Sequence, residues 1–495
     1  MSTDSPERDA HVGLDLGTSG LKGVVLDRAG DVVARARDDY PTRRPEPGAA
    51  EQDPADWLAS LDVVVTTLLD QVPPQRWAGL ALTGMIPTLT VVDRSRRPVG
   101  PALTWEDARA EEQAAALRER LGADDLYRHT GQWVDGRYLL PMAVRMMQLG
   151  LLPPHASHLL GAKDFVVSWL TGAVVTDPST ATGVGAFDLA TGGWRHEVVA
   201  GADEVAGRPL PALPQVTSAT ATHPLRRALA ESWGLPDGLP VATGAADSVC
   251  GLHGLGLTEP GEVAYLAGSS TVILGLSTDP TVDHLRRYLV TPLALNGYGL
   301  EMDLLATGSA FSWLADLLGL HGVAELARAV RTVDPADPTL PSFAPYLAPG
   351  EQGALWDPTL TGALTGLSLA HGPAEVARAL VSGVVVESGR CLEVLSETPS
   401  GVHRIHVAGN SAPDPLPQDL ADATGREVVV HGDGGWHSAI GAARISATAQ
   451  RQPVLDAVLD PRDGWAPSTQ HRFPNLRRRE VWQRLRRTQD QRRQP

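Results

Sequence analysis

The sequence predicts a mixed α/β fold in two large domains, and three observations carry that prediction. A chain of 495 residues exceeds what one ordinary core accommodates, so two domains of roughly 240 residues each are expected. Short strand-like runs and Gly-rich turns alternate with helical runs, the pattern of a mixed α/β architecture. A strand leading into a turn of small residues occurs near residue 11 and again near residue 241, which reads as a duplication of fold without a close sequence repeat. The Gly- and Pro-rich stretch 234–240 (GLPDGLP) divides the halves, giving expected domains 1–238 and 239–495.

The elements follow in chain order. Residues 11–16 and 21–27 read as strands around the turn GTSG at 17–20, and 31–36 as a third strand after the turn signal DRAG, so the chain opens as a β-meander. Residues 54–71 have helical periodicity, with Asp53 as N-cap and Pro54 at the first helical position, where a missing N–H is harmless. Residues 78–83 and 89–93 are further strands, and 104–121 (TWEDARAEEQAAALRERL) a helix. Residues 241–247 form a strand, 261–277 a hairpin, 308–332 and 373–396 helices, and 404–424 a strand-turn-helix unit. The Arg-rich tail 472–493, with Val481, Trp482 and Leu485 on one face, reads as a terminal surface helix. Residues 1–10 are expected to be loosely ordered.

Composition excludes several functions. Hydrophobic residues make up 43% and charged residues 20% of the chain, enough to bury sizeable cores. A net charge of −16 argues against nucleic acid or an anionic membrane as partner. No uncharged apolar run reaches about 18 residues, so no membrane span is expected, and the polar N-terminus lacks a signal-peptide core. Cys250 and Cys391 stand far apart without metal-type spacing, which fits a reducing, cytoplasmic setting. Lys22 and Lys163 are the only lysines against forty arginines, so a compact ammonium is expected to matter where they sit.

Four segments carry chemistry. In GLDLGTSGLK at 13–22, Asp15 ends a strand just before a Gly/Ser/Thr turn. Backbone N–H groups of such a turn form an anion nest, Thr18 and Ser19 add hydroxyl donors, and Asp15 offers oxygen to Mg²⁺, which takes one or two carboxylates and keeps several waters. Neither a P-loop nor a dinucleotide fingerprint is present. In GAADSVCG at 244–251, Asp247 falls near a helix N-terminus, where a carboxylate is stabilised. The turn Gly268-Ser269-Ser270-Thr271 resembles the first chemically, and in Ala408-Gly409-Asn410-Ser411-Ala412 small residues let a flat ring approach the backbone. Taken singly, each also reads as an ordinary turn or cap.

Their order resembles the FGGY family of carbohydrate kinases, most nearly the xylulokinases, over about residues 11–446. Further matches are Glu51-Gln52-Asp53-Pro54 with Trp57; Trp105-Glu106-Asp107-Ala108-Arg109; Lys163-Asp164; Leu170-Thr171-Gly172; Thr176-Asp177 with Ser179, Ala181 and Gly183; and Pro345-Tyr346-Leu347. The resemblance implies two actin-like domains of ribonuclease H-like, hexokinase type flanking a catalytic cleft, with ATP mostly on the C-terminal half and a small sugar on the N-terminal half. It assigns Asp247 as catalytic base, and Asp15 with Asp247 to Mg²⁺. Gly17, Thr18, Ser19, Lys22, Gly268, Ser269 and Ser270 go to the phosphates, and Gly409, Asn410 and Ser411 to adenine. Met85, Ile86, Trp105, Asp107 and Arg109 go to the sugar, and a homodimer is compatible with it.

The sequence departs from the pattern at informative places. Xylulokinases carry Met-His where this chain has Met85-Ile86-Pro87, so a sugar-binding His is missing; Gln132, Trp133 and Arg137 are candidates to replace its contacts. The family's GERTP loop has become Gly350-Glu351-Gln352-Gly353-Ala354, Thr271 replaces a Gly, and Ala408 replaces the first Gly of the adenosine loop. These changes bear on the identity of the substrate more than on the reaction. D-xylulose is the first expectation, another ketose, polyol or aldonate the second, and an actin-like ATPase without a sugar substrate the third.

Overall fold

A computed structural model describes residues 8–348, 353–355, 357, 359–432, 435–450, 470–475, 480–483 and 485–487. Residues 350–352 of the altered loop lie outside the described residues, as do 476–479, 484 and 488–493 of the tail. Of the described tail residues, Arg472 ends the strand Gln470–Arg472 and 473–475 are irregular, so the expected helix is seen at 480–483 and 485–487, where Trp482 is buried with the Arg378 guanidinium 5.7 Å from its ring.

Two mixed sheets organise the chain. The first runs in the order Thr222–Pro224, Pro240–Ala246, Trp77–Gly84, Ala10–Leu16, Gly20–Leu26, Val32–Asp39. The second runs Leu289–Pro292, Tyr298–Leu304, Thr271–Ser277, Glu262–Ala267, Arg404–Ala408, Glu427–Val430, Gln470–Arg472. Each contains the same unit, an antiparallel three-stranded meander whose first strand pairs in parallel with a later strand, followed by a second parallel neighbour. The expected duplication is therefore present, but its second copy starts at Glu262. The strand Pro240–Ala246 pairs in parallel with Trp77–Gly84 and completes the first sheet. A boundary at 238/239 would cut ahead of that strand; the change of sheet comes after the helix Asp247–Gly254.

Helices cover both faces of the first sheet. In the leading hairpin Leu14 pairs with Gly23, and helix Pro54–Gln71 packs on that side: a Cβ at Gly23 would come within 2.6 Å of Val64. Gly13 and Asp15 alternate to the other side, where helix His437–Ala449 from the far end of the chain lies so close that a Cβ at Gly13 would fall 1.9 Å from the Ala439 carbonyl oxygen. This helix also crosses Asp247–Gly254, which touches strands of both sheets. Helix Pro373–Ser396 packs on the second sheet, around a core that includes Tyr265, Ile273, Leu380 and Val384.

Some sequence expectations shift locally. The helix expected at 104–121 begins only at Glu111, because Asp107 closes a turn on Thr104 and binds the Arg109 backbone N–H. The helix expected at 308–332 is two, Gly308–Leu317 and Val323–Arg331, broken where Gly319 and Gly322 take φ of 68° and 83°. The strand expected at 89–93 spans Thr90–Asp93 and pairs with Ala156–Leu160 outside both large sheets. Order begins earlier than expected: Asp9 is paired with Arg76 and Ala10 is fully buried in the first strand. Cys250 and Cys391 are both buried thiols, not joined in a disulfide. Among the described residues no helix is long and apolar enough to cross a membrane.

Candidate active site

A cavity of about 360 Å³ is lined from both sheets and holds Asp15 and Asp247 together. Asp15 is the penultimate residue of its strand, pairing across the hairpin with Lys22. The turn that follows is braced from behind: the Gly17 carbonyl accepts from the Tyr40 hydroxyl (2.6 Å) and the Thr18 carbonyl from Gln52 Nε2 (2.7 Å). Gln52 is itself oriented by the Trp57 indole N–H (2.8 Å), and the Thr18 hydroxyl accepts from the Trp105 indole (2.9 Å). With its carbonyls tied back, the turn presents amides and hydroxyls to the cavity, the composition of an anion nest. Thr18, Ser19 and Lys22 all line it, and Lys22 Nζ donates to the Gly435 carbonyl at 2.6 Å.

The turn of the second sheet is built alike. Gly268 N–H donates to the Ser270 carbonyl (2.8 Å), closing it, and the Ser269 carbonyl accepts from Thr307 and Ser309 at the start of helix Gly308–Leu317 (3.2 and 3.1 Å). Gly268, Ser269 and Ser270 line the same cavity, as do Ala408 and Gly409. Gly409 is required there: its φ is 104°, and a Cβ would lie 2.1 Å from the Ala267 carbonyl oxygen.

Asp247 opens its helix directly after the last strand of the first sheet. Its Oδ1 accepts the Ser248 backbone N–H (2.9 Å), and its own carbonyl accepts from the Ser438 hydroxyl (3.1 Å). The residue before it is anchored too: Ala246 N–H donates to Ser179 Oγ (2.9 Å), and Ser179 Oγ donates to Asp177. Asp177 and Asp164 are paired with Lys163 Nζ at 2.9 and 2.6 Å, all three buried. The compact ammonium expected to matter is thus a strut behind Asp247. A buried ion pair of this kind is costly to break by removing one partner.

The rest of the lining includes Ile86, Pro87, Gln132, Arg137, Tyr138, Thr182, Gly183, Thr291, Glu301 and Asp303. Arg137 is bound side-on to Asp135 (2.5 to 3.1 Å), and Gln132 bridges the Tyr138 hydroxyl and the Val290 carbonyl. Glu301 accepts from the hydroxyls of Ser248 (3.3 Å) and Thr291 (3.2 Å).

Crowding of carboxylates sets the electrostatics. Burial, then the charges of Asp15 and Asp303, push the Asp247 carboxyl up to about 7. Burial raises Asp15 as well, against the pull of Lys22. Asp303 rises to about 6 through burial, with Arg137 opposing, and burial together with Asp303 and Asp247 drives Glu301 well above the carboxylate range. Burial works against the Arg137 charge, but Asp135 outweighs it and holds the guanidinium protonated.

Several expected site residues sit elsewhere. Asp107 is buried and does not line the cavity; it accepts from Ala50 N–H and is clamped by Arg109, which also pairs with Glu46 and Glu51. These two residues therefore support the segment that carries Gln52, and they do not face the cavity. Met85 packs in the core beside Ile86, and Trp133 lies between Arg118 and Arg286 outside the lining. Asn410 and Ser411 stand behind the lining residue Gly409, with Ser411 N–H on the Ala267 carbonyl. Sequence reasoning missed Ser248, Thr291, Glu301, Asp303, His437 and Ser438, all of which line the cavity. Two carboxylates at i and i+2 in the otherwise apolar strand Tyr298–Leu304 were the available signal for Glu301 and Asp303.

Comparison with known proteins agrees with this geometry. Residues 10–254 match the model of the N-terminal domain of the FGGY family of carbohydrate kinases, and residues 263–450 that of its C-terminal domain. A xylulose kinase of Klebsiella pneumoniae is 29% identical over 446 residues, covering 89% of this chain and 90% of its own. A gluconokinase of Bacillus licheniformis is 27% identical over 438 residues, covering 85% of this chain and 83% of its own. The crystal structure of the xylulose kinase of Rhodospirillum rubrum superposes with a TM-score of 0.85 at 27% identity, covering 97% and 98%.

Proposed function

This chain belongs to the FGGY family of carbohydrate kinases, and from that premise we propose that it transfers the γ-phosphoryl group of ATP to a hydroxyl of D-xylulose, giving D-xylulose 5-phosphate. One observation carries the reading: Asp15, Asp247 and two small-residue turns from different sheets share one cavity.

The turns at Gly17–Ser19 and Gly268–Ser270 grip the triphosphate from opposite sides, with adenine near Gly409. Phosphoryl transfer proceeds through a loose transition state, so catalysis is mainly positioning and charge stabilisation. Asp247 accepts the proton of the acceptor hydroxyl as its oxygen bonds to the γ-phosphorus and the bond to the ADP oxygen breaks. Asp15 and Asp247 fit Mg²⁺, a hard cation that takes one or two carboxylates alongside phosphate oxygens. Both are buried carboxylates on the phosphate cavity with more negative charge than nearby cations offset. Bound there, Mg²⁺ would neutralise phosphate charge. Closure of the two halves on the substrates excludes water, the competing acceptor.

The xylulose reading is supported by similarity to relatives named xylulose kinases. A second reading, another ketose, polyol or aldonate, is favoured by apolar Ile86 on the cavity wall, which offers no hydrogen bond to a sugar. A coupled assay of ATP consumption over a panel of acceptors tests both, with identification of the phosphorylated product. Stimulation by D-xylulose and a loss of about 10²–10⁴-fold in Asp247→Asn, with ATP still bound, are expected. ATP hydrolysis indifferent to every acceptor would favour an actin-like ATPase instead.

A further inference from the structure

We infer that the acceptor pocket selects uncharged polyhydroxy compounds and turns away aldonates, with Glu301, Asp303 and the Arg137–Asp135 pair as the determinants. The inference rests on the kinase reading and narrows its substrate class.

Besides Asp15 and Asp247, the carboxyl groups of Glu301 and Asp303 line the cavity. Glu301 is joined to Ser248, the neighbour of Asp247, through a hydrogen bond of 3.3 Å. Asp303 lies two residues along the same strand, paired with Val272 immediately after the phosphate turn, so its side chain shares a face with Glu301 and both reach the lining. Asp303 Oδ1 is buried and has no hydrogen-bond partner among the described residues. A buried acceptor left unmade carries the full desolvation penalty, and a donor that satisfies it is correspondingly favoured. A sugar or polyol hydroxyl is such a donor; an ionised carboxylate is not.

The cations on the wall do not compensate. Lys22 is engaged with the Gly435 carbonyl beside the phosphate turn. Arg137 is the guanidinium nearest the acidic pair, and Asp135 already occupies its fork side-on, with Nε at 3.1 Å from both carboxylate oxygens. Asp135 thereby takes one of the two carboxylate-binding edges of Arg137 and offsets its charge. An aldonate would therefore meet the Asp303 carboxylate beside a guanidinium whose charge Asp135 already offsets. Arg137 remains well placed to steady Asp303 and to donate to a neutral acceptor oxygen.

The test compares kcat/KM of the full-length enzyme for uncharged acceptors (D-xylulose, D-ribulose, xylitol, glycerol, D-xylonamide) with that for D-xylonate and D-gluconate, by ATP consumption. The best uncharged acceptor is expected to exceed the better aldonate by at least 100-fold, and D-xylonamide to exceed D-xylonate. Asp135→Asn, which removes the charge that offsets Arg137, should narrow the ratio at least tenfold; Asp303→Asn should narrow it as well, and serves if the first variant does not fold. An aldonate that equals or surpasses the best uncharged acceptor, or a ratio unmoved in every folded variant, overturns the inference and leaves phosphoryl transfer standing. ATP turnover stimulated by neither class contradicts the kinase reading, and this inference with it.

Discussion

Asp247 is held where its proton affinity suits a base at neutral pH: burial and the charge of Asp15 lift its carboxyl to about 7. On the proposed mechanism this carboxylate must be ionised to act as base, so kcat/KM for Mg·ATP, which reports the metal-free enzyme, should rise with pH through an apparent pKa near 7 and level off above it. A pH–rate profile checks this, and a flat profile from pH 5 to 8 would contradict it. Asp15→Asn should raise the Mg²⁺ concentration needed for half-maximal rate by about tenfold or more, read from a magnesium titration at fixed ATP. At this scale the sequence was legible where chemistry is local. Asp15, Thr18, Ser19, Asp247, Ser269 and Ser270 could be read because a strand, a turn and a hydroxyl or carboxylate lie within a few residues. Asp107 and Arg109 misled because their ion pair is closed by Glu46, Glu51 and Ala50, which only the folded chain brings to them. Glu301 and Asp303 become site residues only through the pairing of their strand with Thr271–Ser277.

The elements owe their precision to braces that are not in the cavity. Gln52, fixed by Trp57, holds the Thr18 carbonyl, so the segment that looks like a family signature acts as a support for the turn at Gly17–Ser19. Gln52→Ala should raise KM for ATP about tenfold with a smaller effect on the acceptor KM, because it loosens the turn and leaves Asp247 untouched; equal changes in both would contradict this role. The Lys163–Asp177–Ser179 chain does the same for the backbone ahead of Asp247. Element boundaries were legible where caps and breakers act alone. Asp53 caps its helix at the Ala55 N–H, as its position before Pro54 predicts. The helix at 104–121 lost its first two turns because the Asp107 turn on Thr104 and the Trp105 indole on Thr18 outweighed a favourable helical composition.

The whole molecule is two copies of one sheet pattern joined through a pair of crossing helices. The crossing is tight enough to demand glycine: a Cβ at Gly441 would fall 1.8 Å from the Cys250 carbonyl oxygen, and one at Gly254 1.9 Å from that of His437. Gly441→Ala should therefore cost about 1–3 kcal/mol by overpacking, visible in urea unfolding, whereas Gly389→Ala, at a half-buried position with open space for a Cβ, should not. The duplication was legible from repeated turns, but its starting point was not. Residues 241–247 look like a new beginning in sequence, yet register with Trp77–Gly84 makes them the last strand of the first sheet. That register brings Asp247 to the cavity that Gly268, Ser269 and Ser270 of the second sheet also line, and makes the cavity a property of both halves. The most direct test is a crystal structure with Mg²⁺, a non-hydrolysable ATP analogue and the preferred acceptor. It should place the γ-phosphorus between Thr18–Ser19 and Ser269–Ser270, with an acceptor hydroxyl within hydrogen-bond reach of Asp247. A nucleotide bound elsewhere, or an acceptor remote from Asp247, would contradict the account.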